Sequence, residues 1–165
     1  MKTPRLKFRS LSSLVVVFAL LSMVACKKDS DPAPKDDVEG NWQITAITFN
    51  PVYVNNGIPI GDLLPIYALQ GNTCPSKTTF AFKGDGSVNV SAPNECKDTK
   101  DELTTLLEID NTTTWKKDNN KLLLKTGAST LQADLTVDKT TMTLAGSQPL
   151  DDGKTHTISF VFKRI

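Results

Sequence analysis

One histidine and three cysteines in 165 residues leave the chain short of the side chains that most metal centres and acid–base mechanisms draw on. An excess of either charge is missing too. The formal net charge is +1, but Lys2, Arg5, Lys7 and Arg9 open a first 25 residues that hold no acid, and the 15 bases left of 19 then stand against 18 acids. With its remaining Lys residues scattered among acids, the chain offers no basic surface for a phosphate backbone, which excludes nucleic acid as a partner. No apolar run approaches the roughly 20 residues of a spanning helix. There is no internal repeat, no Gly-rich phosphate loop, no cofactor motif and no Ser in a Gly-x-Ser-x-Gly setting. What remains, at 39% hydrophobic and 22% charged, is one ordinary globular domain.

The first 25 residues read as a secretory signal, with a basic start and then the apolar run Leu14–Leu21. Met23-Val24-Ala25-Cys26 closes it with a small residue directly before a Cys. This resembles the lipobox of bacterial lipoproteins, and the resemblance implies cleavage before Cys26 and acylation of its sulfur and new amino group, as with palmitate. More than one acyl chain is what stable anchoring needs. Residues 26–37 follow as a lipidated Cys and a charged, Pro-containing tether whose apolar side chains are no larger than Ala. Such a stretch cannot pack and reaches roughly 35 Å when extended. Its acids resemble the signal that moves some lipoproteins of Gram-negative bacteria to the outer face. The expected location is therefore the outer membrane, lipid-anchored and surface-exposed, with the folded domain spanning 38–165.

With Cys26 assigned to lipid, Cys74 and Cys96 form an even pair in an exported domain and read as a disulfide. Strand patterns on either side of Gly84-Asp85-Gly86 make a hairpin, and centring it on Asp85 sets Phe82 opposite Val88, Phe80 opposite Val90 and Cys74 level with Cys96. The same arithmetic through Asn119-Asn120 pairs Trp115 with Leu124, and through Gly127-Ala128 pairs Leu124 with Leu131. Through Asp138-Lys139 it pairs Leu135 with Met142 and Ala133 with Leu144. The apolar face never switches, and since a one-residue slip turns every side chain over, this agreement supports the whole series. Strands are expected at 41–49, 77–83, 87–92, 111–117, 121–126, 130–137, 140–146 and 155–164, the first alternating less cleanly than the last. Segments 50–76 and 93–110 are expected as loops with short helices, one capped by Asp62 over Leu63–Gln70 with Gly71 as its stop, the other starting at Asp101 and ending near Glu108.

The fold class is all-β, an eight-stranded antiparallel up-and-down barrel that closes first strand to last, with a β-sandwich as the alternative. Gly40-Asn41-Trp42 resembles the Gly-x-Trp signature of lipocalins, followed by a long first loop, an eight-strand meander and a late base. The resemblance implies that Arg164 covers Trp42 at the closed end of the barrel. More closely, the chain resembles lipocalin-like lipoproteins of Gram-negative bacteria through Cys74, Thr79-Phe80-Ala81-Phe82 before Asp85-Gly86, Cys96, and Trp115 before a hairpin.

An eight-stranded barrel either fills with side chains or holds one small ligand. The inward candidates for a ligand cavity are Trp42, Phe80, Phe82 and Trp115, with Leu124, Leu135, Met142, Phe160 and Phe162. The unusually apolar 51–75 connection reads first as a plug for the barrel end and next as a candidate lid through Tyr53, Ile58, Leu64 and Tyr67, with a docking surface as the third reading. His156 reads as a strand-start residue beside the 151–153 turn, and Asp85, Asp151 and Asp152 lack metal-ligand spacing. The expected function is non-enzymatic, a membrane-anchored barrel holding a small hydrophobic or amphipathic ligand. The alternative is a solid-cored interaction module that binds another envelope protein.

Overall fold

The computed structural model describes residues 37–165; the signal segment, Cys26 and the tether to residue 36 lie outside the described residues. Nine strands and two short helices follow one another: β1 Gly40–Asn55, β2 Ile58–Asp62, α1 Leu64–Leu69, β3 Thr79–Phe82, β4 Val88–Ser91, α2 Lys97–Leu106, β5 Thr114–Asp118, β6 Lys121–Thr126, β7 Ser129–Val137, β8 Thr141–Pro149 and β9 Thr155–Arg164. They form one antiparallel sheet in the order β4-β3-β1-β9-β8-β7-β6-β5, with β2 hung on β1. The sheet curls until its two end strands meet. Val88 N–H donates to Thr113 O at 3.1 Å and Trp115 N–H to Gly86 O at 2.7 Å. First and last strands do pair, as β1 with β9 from Trp42↔Arg164 to Asn50↔Thr157. The thin seam of this nearly closed eight-stranded barrel instead lies between β4 and β5, where Trp115 Nε1 also donates across to Lys83 O at 3.0 Å.

Most registers follow from the turns. Phe82↔Val88 and Phe80↔Val90 flank the Asp85 turn, Trp115↔Leu124 the Asn119-Asn120 turn, and Leu124↔Leu131 the Gly127-Ala128 turn. One register differs from expectation. Leu135 pairs with Leu144, not Met142, and Ala133 has no partner on β8; Met142 sits opposite Val137. The turn is centred one residue later than Asp138-Lys139, because the Asp138 carboxylate accepts the N–H groups of both Thr140 and Thr141 at 2.7 Å and so occupies the first position of a longer turn. A shift of two keeps the same face inward.

A bulge explains the irregular first strand. Trp42 and Ile44 point inward on even positions, the register shifts between Ile44 and Ala46, and beyond the shift the inward side passes to odd positions, with Ile47 buried and Phe49 half-buried. The strand then runs well past residue 49. It continues through a cis Asn50–Pro51 bond to Asn55, turns at Asn56-Gly57 with φ of 49° and 80°, and returns as β2. Only residues beyond Asp62 form the expected helix: Asp62 Oδ1 accepts Leu64 N–H at 3.1 Å, and Gly71, at φ 72°, ends the turn. The second helix starts at Lys97 rather than Asp101, since the chain is already coiled in a short 3-10 turn over Asn94–Cys96.

Cys74 and Cys96 are bridged, with Cα atoms 5.2 Å apart. The bridge ties the start of α2 to the turn that leads into β3, and Asn72 Nδ2 donates to Thr99 Oγ1 at 3.0 Å beside it. By loop entropy, such a clasp contributes roughly 3 kcal/mol.

Candidate functional site

Alternation decides which side chains meet inside. Along β9 the inward residues are His156, Ile158, Phe160 and Phe162; along β8 they are Met142, Leu144 and then Gly146 and Gln148; along β6 they are Leu122 and Leu124. The bore divides into two parts. At the closed end Trp42, Phe80 and Phe162 are fully buried and Phe82 nearly so, with Phe80 and Phe162 edge to face at 5.5 Å and Phe82 against Trp115 at 6.0 Å. Trp42 Nε1 donates to Val38 O at 2.8 Å. Over the other face of the barrel end lies Arg164, its Cζ 4.2 Å from the centre of the Trp42 ring. Its guanidinium donates to the main-chain carbonyls of Lys139, Glu39 and Asp37. A side chain at Gly40, whose φ is 145°, would collide with Arg164 Nη1, which is the physical reason for the glycine two residues before the tryptophan.

Toward the mouth the bore opens into a cavity of about 340 Å³. Its walls are Ile47 and Phe49 of β1, Leu124 of β6, Leu144 of β8, and Ile158 and Phe160 of β9. Tyr53 and Asn55 at the end of β1, Ile60 of β2 and Leu63 roof it, and Leu106 and Leu107 at the end of α2 form a further wall. Of the side chains expected to line a cavity, Leu124 and Phe160 do so. Trp42, Phe80, Phe82, Trp115, Leu135, Met142 and Phe162 do not: Trp42, Phe80, Phe82 and Phe162 fill the closed end with Met142 opposite Phe162, Trp115 lies half-buried against Phe82 at the β4–β5 seam, and Leu135 is buried opposite Leu144. Of the lid residues only Tyr53 lines the cavity. Ile58 is 62% exposed, Leu64 is partly buried against the core, and Tyr67 is buried, which pushes its phenol pKa up with the neighbouring Glu102 of α2 adding to the shift.

One side of the cavity is a parting in the barrel wall. Pairing between β7 and β8 ends at Asp134↔Ala145, although β7 stays paired to β6 as far as Ser129 and β8 to β9 as far as Pro149. Leu131, Gln132 and Ala133 on one strand and Ala145, Gly146 and Ser147 on the other line the cavity across this gap. Gln132 and Ser147 lie on outward positions, so what they turn toward the gap is main chain.

The mouth is pinned by a small polar cluster. His156, fully buried, places Nδ1 2.7 Å from Pro51 O and Nε2 2.9 Å from Asp152 Oδ1. Both neighbours are acceptors, so only the doubly protonated ring donates to both. The bond to Asp152, and then that to Pro51, hold the His156 pKa above its ordinary 6.5, and the same bond holds Asp152 below its ordinary 3.8. Tyr53 Oη donates to Asp151 Oδ1 at 2.6 Å, which raises the phenol pKa. His156 is thus more than a strand-start residue: it fastens the roof to the β8–β9 turn. The roof itself carried a sequence signal, since Asn56-Gly57 between apolar residues is a strong two-residue hairpin pattern.

A family model described as a lipocalin-like domain matches residues 38–144, from the buried Val38 to the inward Leu144 of β8. The chain belongs to the lipocalin-like domain family. No curated protein matches it. The match ends before β9, so the strand that closes this lipocalin-like barrel and carries Arg164, Phe160 and His156 is assigned from the structure. Among the described residues no group of three or more His, Cys, Asp or Glu is placed to hold a metal ion. Nor is any described helix long and apolar enough to cross a membrane.

Proposed function

We propose that this lipocalin-like protein is a non-enzymatic lipoprotein of the cell envelope, anchored in the outer membrane by acyl chains on Cys26, whose barrel binds a small hydrophobic or amphipathic ligand. The observation that carries the ligand reading is the apolar cavity at the mouth: its volume of about 340 Å³ falls in the range of ligand pockets, and such pockets are mostly apolar with a few placed polar groups. The anchor rests on the apolar run Leu14–Leu21 and the Ala25-Cys26 step that follows it. Its test is the mass of the mature chain, which should begin at an acylated Cys26, and the loss of membrane association in Cys26→Ala.

Gly146 offers a direct test of the cavity, because it lines the cavity and a Cβ placed there meets no atom within 4 Å. Gly146→Phe should fold normally, judged by circular dichroism and urea midpoint, and fill the space. The barrel unit Lys35–Ile165, which holds the whole core, should give a saturable fluorescence rise with N-phenyl-1-naphthylamine that the variant loses. Equal binding by the variant, or no saturable binding by the parent, defeats the carrier reading. The interaction-module reading would then stand on Val52, Val54, Ile58 and Leu69, which lie exposed on the roof and α1.

A further inference from the structure

Beyond Asn50↔Thr157 the first strand leaves the barrel wall and is paired to β2 alone. The hairpin so formed carries no charge: from Phe49 to Gly61 the sequence holds no Asp, Glu, Lys, Arg or His. Tyr53 and Ile60 are paired and turn inward onto the cavity. Alternation from that pair decides the tip, with Val52, Val54 and Pro59 on the outer face and Asn55 and Ile58 on the inner one. Val52, Val54, Pro59 and Ile58 are all exposed, so the tip is apolar on both faces. Leu106, also exposed, adds an aliphatic chain to the same rim from the end of α2. The neighbouring turn with Asp151 and Asp152 is charged, but it meets the hairpin through Tyr53 and, by way of His156, Pro51, short of the tip.

Two apolar faces on one hairpin set a condition on what covers them. A folded partner docks against one face and reads it through a polar, charged rim, and this tip offers neither a single face nor a charge. A lipid surface envelops what enters it, and takes uncharged aliphatic, amide and Tyr side chains at the headgroup level. No strand lies beyond β2, and main chain at an open edge needs water or headgroups, so side chains enter while the strand stays at the interface. The chain also has the reach. It joins the barrel at the closed end, where Asp37 O accepts from Arg164, and residues 26–36 extend roughly 35 Å. The 10 residues of β9 rise about 33 Å, which at the tilt of barrel strands makes a wall about 25 Å tall. A chain held at Cys26 can therefore lay its mouth on the membrane that holds it.

We propose that the β1–β2 hairpin is a membrane contact: Val52, Val54 and Ile58 enter the headgroup region of a bilayer and seat the mouth of the barrel on the lipid surface. No basic side chain takes part, so the contact is indifferent to lipid charge. It stands apart from the carrier reading, since it requires no ligand in the cavity, and apart from whether Cys26 is acylated in the cell.

The test uses residues 26–165, in which the Cys74–Cys96 bridge leaves Cys26 as the free thiol, coupled through Cys26 to a maleimide lipid in phosphatidylcholine vesicles. Ile58→Trp should give emission shifted to the blue and quenched by brominated phosphatidylcholine, beyond the baseline that Trp42 and Trp115 set in the parent. Val52→Asp with Val54→Asp, added to it, should lower the ratio of docked to undocked barrels about ten-fold or more, as aliphatic contacts give way to hydrated carboxylates. Circular dichroism and the urea midpoint should not change, because both sites are exposed. An indole that stays unquenched overturns the proposal, and equal quenching with both carboxylates present overturns its placement on the hairpin. Quenching that needs phosphatidylglycerol, or is lost in about 0.5 M salt, overturns the uncharged contact. A blue shift without vesicles, in a protein that sediments as a dimer, gives the hairpin to a second copy of the chain instead.

Discussion

At the closed end of the barrel, Trp42, Phe80, Phe82 and Phe162 are at most 2% exposed and fill the bore, whereas at the mouth Phe49, Leu131 and Leu150 are only partly buried around a cavity. The same strands build both ends. What differs is the size of the inward residues and the continuity of pairing. Four aromatic rings meet where β1, β3 and β9 are fully paired, while Ala133, Ala145 and Gly146 border the stretch where β7 and β8 part. The mouth cannot hold its shape by packing alone. It is held by pins: the disulfide at the start of α2, the Tyr53–Asp151 bond and the His156 bonds to Pro51 and Asp152.

If this division is right, equal truncations at the two ends should have unequal effects. Phe162→Ala should lose about 3–5 kcal/mol of stability, since the surroundings are close-packed and cannot collapse into the space. Phe160→Ala, which enlarges a cavity already present, should lose clearly less and should weaken N-phenyl-1-naphthylamine binding more. Urea denaturation and probe titration of both variants measure the contrast. Equal losses of stability would mean that the two ends are packed alike.

Removing the Cys74–Cys96 bridge comes next in size, at about 3 kcal/mol from the entropy of the loop it closes. Because the bridge fixes the start of α2 and Leu106 and Leu107 at its end line the cavity, Cys74→Ala with Cys96→Ala should also weaken the probe at temperatures where the barrel is still folded. A loss confined to stability would detach α2 from the cavity wall.

The two ends also differed in how plainly the sequence spoke. Alternation and two-residue turns gave the strands, the inward face and most registers, because a period of two leaves no freedom once one face is buried. At the closed end the resemblance to lipocalins placed Arg164 over Trp42, and Gly40, at φ 145°, leaves the space that the Arg164 guanidinium occupies. The mouth was not legible in this way. Its shape depends on the bulge at Ile44–Ala46, on the Asp138 side chain moving a turn by one residue, and on pairing that stops at Asp134↔Ala145. Only the bulge marks the apolar pattern, as the uneven alternation of the first strand; the other two leave it unchanged. So Trp42, Phe80, Phe82, Trp115, Leu135, Met142 and Phe162 were grouped with Leu124 and Phe160 as one inward set, though the bore is divided between them. Asn56-Gly57 was visible, but a long apolar connection reads as a loop before it reads as a strand running past a proline.

Arg164→Met is a smaller probe of the closed end alone. It removes a cation over the Trp42 ring and three bonds to main-chain carbonyls while keeping the length of the side chain. A loss of about 2 kcal/mol is expected, with probe affinity unchanged. Weakened binding would show that the two ends are coupled through β9.

The finest test concerns the His156 pin, whose effect should depend on pH with a sign set by geometry. The folded pKa of His156 lies above 6.5, because its bonds to Asp152 and Pro51 favour the charged ring; its stabilisation is therefore complete below the unfolded value and lost as pH rises through the folded one. Asp152 is shifted the other way, below 3.8, so its share is present above that value and lost as pH falls through the folded pKa. The pin is strongest between about 4 and 6.5. Comparing the urea midpoints of the parent and His156→Gln from pH 5 to 9 should show the parent's advantage shrinking as pH rises. Lys154, which opposes the positive ring, and the Tyr53–Asp151 bond are common to both proteins and cancel in the difference. A pH-independent gap would mean that the neutral ring fastens the roof as well as the charged one, leaving Tyr53 and Asp151 as the pin that holds the mouth.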